Sequence, residues 1–141
     1  MKEIKIPMWR QELKAARKKE GKLPSSRWFQ LCTINGNNEP RLRTVVFRGW
    51  QTESSILIFT DRRSEKVAQL KLNSNAEVLW LFFKSKSQFR FKGKMKELKE
   101  MAFMVMHQHP WFNEVYELKE CQTLYKKAEL FEVMFQYRIK K

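Results

Sequence analysis

Apolar and polar positions change period several times along this chain, and each change marks an element. In MWRQELKAARKKEG, Trp9, Leu13 and Ala16 recur at helical spacing among basic residues, with Gly21 as a stop before Pro24. An N-terminal helix is predicted. RWFQLCTINGNNEPRLRTVVFRGW holds two β-like runs around NGNNEP, whose Asn-Gly and Pro mark a turn, so an antiparallel hairpin follows. SILIFTD reads as a strand, and RRSEKVAQLKLNSN as a short helix with Val67, Leu70 and Leu72 along one stripe. AEVLWLFF has the composition of a buried strand. SQFRFKGKMKEL alternates Phe89, Phe91 and Met95 with Arg90, Lys92, Lys94 and Lys96, which sends apolar and cationic side chains to opposite faces. From Glu100 to Lys127 the pattern is mostly helical with a break at Pro110, and ELFEVMFQYRI fits either a helix or a last strand. Short strands with a few helices predict a mainly β fold, a small antiparallel barrel with peripheral α structure. No repeat, linker or composition shift divides residues 1–141, so a single domain is expected.

Composition narrows the function. A chain of 141 residues, 43% of them hydrophobic, can build a core without disulfides or metal. Lys and Arg total 29 against 15 Asp and Glu, and the resulting +14 favours anionic partners: nucleic acid, an anionic membrane surface or a phosphorylated small molecule. Two cysteines, no secretory leader and no apolar run of membrane length predict a cytoplasmic protein that does not span a membrane. With four glycines the chain has neither a dinucleotide fingerprint nor a P-loop. His107 and His109 lie two apart and far from Cys32 and Cys121, so no zinc pattern exists and no metal is expected. Cys32, flanked by apolar residues in FQLCTI, reads as a buried filler rather than a nucleophile, and no serine sits in a nucleophile elbow.

Phosphate capture is the chemistry that the remaining motifs support. Arg43 and Arg48 bracket the apolar run in RTVVFRGW, and FTDRRSEK gathers Thr60, Arg62, Arg63, Ser64 and Lys66 where a strand turns into a helix. Hydroxyls, helix-start amides and cations together satisfy the oxygens of a phosphate monoester. Gln88 adds an amide suited to the edge of a heteroaromatic ring.

The order and spacing of these motifs, from about Trp9 to Leu98, resemble the pyridoxamine 5'-phosphate oxidase-like FMN-binding split-barrel family, in particular its bacterial branch with an RTVVFRG strand. The resemblance implies a split β-barrel, an N-terminal and a C-terminal helix, FMN as cofactor and a homodimer with flavin at its two-fold interface. It implies that Arg43, Thr60, Ser64 and Lys66 hold phosphate and ribityl groups, and that Val45 and Val46 offer backbone to the isoalloxazine. Arg48 would stand near the reactive face and Gln88 would bond the ring edge, with Thr44 and Phe59 completing the contacts. The implied activity is an oxidoreductase in which FMN takes a hydride at N5 from a small-molecule substrate and passes electrons to an acceptor; neither substrate nor catalytic residue is assigned. Two departures bear on this. Glu65 stands where the family commonly has Arg, which predicts a carboxylate beside the phosphate and an affinity reduced roughly ten- to a hundredfold. The C-terminal part, including HPWFNEVYEL, which resembles the family's helix, and LYKKAELFEVMFQYRIKK, which does not match, predicts a shortened ending and leaves a non-catalytic split barrel as the first alternative. A basic nucleic-acid-binding barrel is the second, ranked low because cations and aromatics on one strand face opposite ways.

Overall fold

The computed structural model describes residue 6 and residues 8–52, 55–108 and 112–125. The N-terminal stripe forms α1 (Met8–Glu20), burying Leu13 and Ala16, and Glu20 extends the buried stripe by another turn. Gly21 ends the helix in the left-handed region at φ 66°, its N–H donating to the Arg17 carbonyl at 3.1 Å. A 3-10 turn at Pro24–Ser26 leads into β1 (Trp28–Ile34), which pairs antiparallel with β2 (Pro40–Val46). Between them Asn35 Oδ1 accepts the amides of Asn37 and Glu39 at 3.0 and 2.9 Å. The left-handed residue of this turn is Asn38, at φ 60°, and not Gly36.

The chain continues through β3 (Trp50–Thr52), β4 (Ser55–Thr60), α2 (Glu65–Leu72), β5 (Asn75–Phe82), β6 (Ser87–Glu97), α3 (Lys99–Gln108) and β7 (Glu114–Tyr125). Among the described residues these seven strands make one sheet in the order β2-β1-β5-β6-β7-β4-β3, with antiparallel pairing throughout. β2 and β3 are consecutive in the chain yet terminal at opposite ends of this order. The short link Phe47–Gly49 can join them only if the sheet curls until its ends meet. Its hydrogen bonds show the closure: the Arg48 N–H donates to the Leu57 carbonyl at 3.0 Å and the Leu57 N–H to the Gly49 carbonyl at 2.9 Å. Gly49 turns the corner at φ 108°. The result is a mainly β, curled half-barrel with peripheral helices.

Inside the curl lies an aromatic core. Trp80 is fully buried against Phe29, Phe47 and Phe82 at centroid distances of 5.2, 5.0 and 5.3 Å, and its Nε1–H donates to the Ser25 carbonyl at 2.8 Å. Each such side chain contributes roughly 1.5–3 kcal/mol through burial. Phe89, Phe91 and Met95 face this core while Arg90, Lys92, Lys94 and Lys96 are exposed, as the alternation predicted. A smaller cluster of Leu57, Leu98, Val105 and Val115 forms where α3 covers the outer side of β4 and β7.

Three expectations are corrected. The helical reading from Glu100 to Lys127 holds only to Gln108, because Glu114–Tyr125 is the strand that fills the gap between β4 and β6. Leu72 is 73% exposed and Gln69 takes the buried place on α2. Cys32 is only half-buried, since it points to the outer face of β1 while Leu31 and Thr33 point inward. His109, Pro110 and ELFEVMFQYRI lie outside the described residues. Among the described residues no helix is long and apolar enough to cross a membrane, and no group of three metal-ligating side chains occurs.

Candidate functional site

Alternation along β2 sends Arg43 and Val45 to the inner face and Thr44 and Val46 to the outer one. Pointing inward, Arg43 meets two buried polar side chains. Its Nη1 donates to Thr33 Oγ1 at 2.7 Å and its Nη2 to Gln69 Oε1 at 2.7 Å, while the Thr33 hydroxyl donates to the same Gln69 oxygen at 2.6 Å. Thr33 is fully buried on β1 and Gln69 is 8% exposed on α2. The guanidinium is thus fixed at the junction of strand and helix.

One turn before Gln69 on α2 stands Lys66. Its Nζ donates to Ser64 Oγ at 3.3 Å, and Ser64 Oγ lies 3.2 Å from Thr60 Oγ1. Ser64 occupies the N-cap of α2 with extended backbone, φ −71° and ψ 148°, but its hydroxyl makes no capping hydrogen bond. The hydroxyl pair and the lysine therefore gather at the positive end of the helix. Burial, and after it the charge of Arg43, holds the Lys66 ammonium below the usual lysine range, against the pull of Asp61. An anion seated here would relieve the repulsion between the two cations.

The acidic neighbours are engaged elsewhere. Asp61 accepts a forked pair of bonds from Arg63, with the ion pair at 2.7 Å, and its pKa is pushed down to about 2 chiefly by the Arg63 side-chain and backbone hydrogen bonds. Glu65 is 80% exposed and lies 3.7 Å from Arg41. The carboxylate expected beside the phosphate is thus turned toward solvent and toward another cation. Arg63 is occupied by Asp61. The turn itself is held from β7's approach: Asn113 Oδ1 accepts the Arg62 amide at 2.9 Å, and the Asn113 N–H donates to the Thr60 carbonyl at 3.2 Å.

The other predicted residues stand apart from this cluster. Arg48 lies with Phe59 on the α3 side of β4, its guanidinium carbon 5.3 Å from the Phe59 ring centroid and 5.3 Å from that of Phe112. Thr44 accepts from Gln30 Nε2 at 3.3 Å on the outer face. Gln88 is on that same face, in a shallow groove of about 280 Å³ shared with Gln30, Cys32, Leu42, Leu79 and Arg90. Arg43, Thr60, Ser64 and Lys66 are brought together within the chain, whereas Gln88 is not brought to them. Thr33, Gln69 and Asn113 were not predicted. For Thr33 the signal was the Phe29, Leu31, Thr33 alternation, and for Gln69 its place three residues after Lys66 on one helix face.

The donor set of two cations, two hydroxyls and the first amides of α2 fits a phosphate monoester, the anchor of FMN. Comparison with known proteins agrees. The model of the pyridoxamine 5'-phosphate oxidase FMN-binding domain matches residues 6–99. Pyridoxine/pyridoxamine 5'-phosphate oxidase 2 of Arabidopsis thaliana is 40% identical over 92 residues, which is 64% of this chain and 46% of that protein. The crystal structure of a pyridoxamine 5'-phosphate oxidase-related, FMN binding protein from Nostoc punctiforme PCC 73102 superposes with a TM-score of 0.67 at 27% identity, covering 74% of this chain and 59% of that one. The fold is also that of Group A Streptococcus HupZ, with a TM-score of 0.65 at 10% identity over 84% of this chain and 94% of that one. The chain spans about half the length of the plant relative. With its matched core running through the strand-to-helix turn that carries Ser64 and Lys66, the chain belongs to the pyridoxamine 5'-phosphate oxidase FMN-binding domain family.

Proposed function

We propose that this chain binds FMN, with the phosphate monoester seated between Arg43, Thr60, Ser64 and Lys66, and serves as a flavin-dependent oxidoreductase of a small molecule. The observation that carries the reading is the half-buried Lys66 ammonium, held on Ser64 beside a second cation at the start of a helix. Like charges are gathered there at a cost that a dianion offsets. Arg43 and Lys66 supply the charge, Ser64 and Thr60 the hydroxyl donors, and β2, terminal among the described strands, offers the backbone of Val45 and Val46 along its outer edge. When bound, FMN supplies hydride acceptance and electron transfer to an acceptor. Arg48, 5.3 Å from the ring centroids of both Phe59 and Phe112, supplies a positive charge held against those rings.

The outer face supports a homodimer. Trp28, Leu42 and Phe83 are 48%, 68% and 53% exposed there. Apolar surface of this kind on one face marks an interaction site, and a second copy of the chain is the partner we propose. In that arrangement Gln88 delivers its amide into the interface rather than to the Arg43 of its own chain.

Titration of the purified protein with FMN, read by flavin absorbance and fluorescence, tests the reading. Binding below about 50 µM is expected, and Arg43→Ala or Lys66→Ala should each weaken it roughly tenfold or more. No binding at that concentration overturns the proposal. Substrate choice is tested on the bound protein by anaerobic bleaching of the flavin, starting with pyridoxamine 5'-phosphate because the relatives are named for it.

A further inference from the structure

The anion cluster has a feature that simple charge gathering does not require. Arg43 is held from behind, and both groups that hold it are uncharged. A buried arginine is commonly paired with a carboxylate, which orients the guanidinium but also cancels its charge. Here an amide oxygen and a hydroxyl do the orienting. The Thr33 hydroxyl completes a closed ring of hydrogen bonds by donating to the oxygen that accepts from Arg43. With both donors aimed at one atom, that atom is Oε1 and not the amide nitrogen. Arginine carries five N–H donors. Two are spent on Thr33 and Gln69, with a longer contact of 3.4 Å from Nη1 to the Leu31 carbonyl, so donors remain for a ligand. The ring ties three elements, β1, β2 and α2, and α2 is also the helix that carries Lys66. Thr33 and Gln69 therefore set where the Arg43 charge stands relative to Lys66.

We propose that Thr33 and Gln69 act as a neutral clamp, positioning residues that aim the Arg43 guanidinium at a phosphate monoester without neutralising it, and that this clamp sets the preference for phosphorylated over unphosphorylated flavin. The inference rests on the FMN reading above and extends it to two residues that touch no ligand themselves.

The test uses the full chain and two ligand arms. In the first, dissociation constants for FMN and riboflavin are compared. Thr33→Val and Gln69→Leu should each weaken FMN roughly ten- to a hundredfold while leaving riboflavin unchanged, and Thr33→Ser, which keeps the hydroxyl, should restore the wild-type ratio. In the second, the melting temperature is followed against inorganic phosphate. The decisive variant is Gln69→Glu, which preserves the shape of the clamp and grips Arg43 more tightly. It should melt higher than wild type without ligand, yet lose the phosphate-induced rise. A purely structural role for Gln69 would give a stable protein with an intact phosphate response. That result, or FMN and riboflavin affinities falling together in Thr33→Val, overturns the clamp. Failure of wild type to bind either flavin overturns the FMN reading instead, and the phosphate arm still decides the clamp.

Discussion

At the scale of single residues, the positions that matter most in this chain are polar side chains placed where the periodic pattern calls for apolar ones. Thr33 continues the inward series of Phe29 and Leu31, Gln69 shares the buried face of α2 with Val67 and Leu70, and Glu20 follows Leu13 and Ala16 on α1. Glu20 shows why a charge can stand there. Its carboxylate accepts the Phe83 and Lys84 amides at 3.0 and 2.9 Å and the Ser25 hydroxyl, joining the end of α1 to the β5–β6 turn. Burial alone would raise its pKa, but these bonds and the charge of Lys84 outweigh it and hold the carboxyl below the usual value of 4.5. A depressed folded-state value means stability that is complete above the unfolded value and lost as pH falls through the folded one. Glu20→Gln should therefore destabilise the protein by roughly 2 kcal/mol at pH 7, since a charged acceptor becomes a neutral one. In thermal melts from pH 7 downward, the gap between wild type and variant should close only below the ordinary glutamate range. A gap independent of pH would show that shape, not charge, is what Glu20 contributes.

At the scale of elements, the reading from sequence succeeded where a period or a short apolar run is visible, β4 with both faces buried included, and failed at β7. α1, the β1–β2 hairpin, β6 and the start of α2 each expose one side, so their periods are visible, and with them the cluster of Arg43, Ser64 and Lys66. β7 lies between β6 and β4 and beneath α3, so Glu114 through Leu118 are all buried and no alternation survives in EVYEL. Glu114 faces inward with Tyr116, whose hydroxyl donates to it; burial, followed by the charges of Glu114 and Glu97, raises the tyrosine pKa and keeps that proton in place. Glu and Leu favour helix locally, and pairing with two waiting strand edges overrides them. The same burial gives β7 a role at the site that sequence could not disclose, since Asn113 at its head grips both Thr60 and Arg62. Asn113→Ala should release the 61–64 turn and weaken FMN several-fold, with little change in melting temperature because Asn113 lies outside the buried core. Hydrogen exchange of the Arg62 amide gives an independent check: faster exchange is expected, and unchanged protection would remove Asn113 from the account.

At the scale of the whole molecule, the curl of the sheet divides the predicted contacts between two surfaces. Arg43 with Lys66 faces inward at the junction with α2, while Thr44, Val46 and Gln88 face outward. Across β2, β1, β5 and β6 the spacing of strands places Gln88 about 14 Å from β2. In the proposed reading one chain carries the phosphate anchor alone, and the ring site is completed by a second copy docked on the outer face. This makes assembly and cofactor affinity separable. Leu42→Asp sets a charge in the middle of the proposed interface and touches none of the anion cluster. The wild type should run as a dimer by light scattering and the variant as a monomer. The monomer should bind FMN more weakly than the dimer, yet its melting temperature should still rise with inorganic phosphate, because Arg43, Ser64 and Lys66 are gathered within each chain. A wild type that stays monomeric at about 50 µM while binding FMN tightly would place the whole flavin on one chain and dismiss the outer face as an interface.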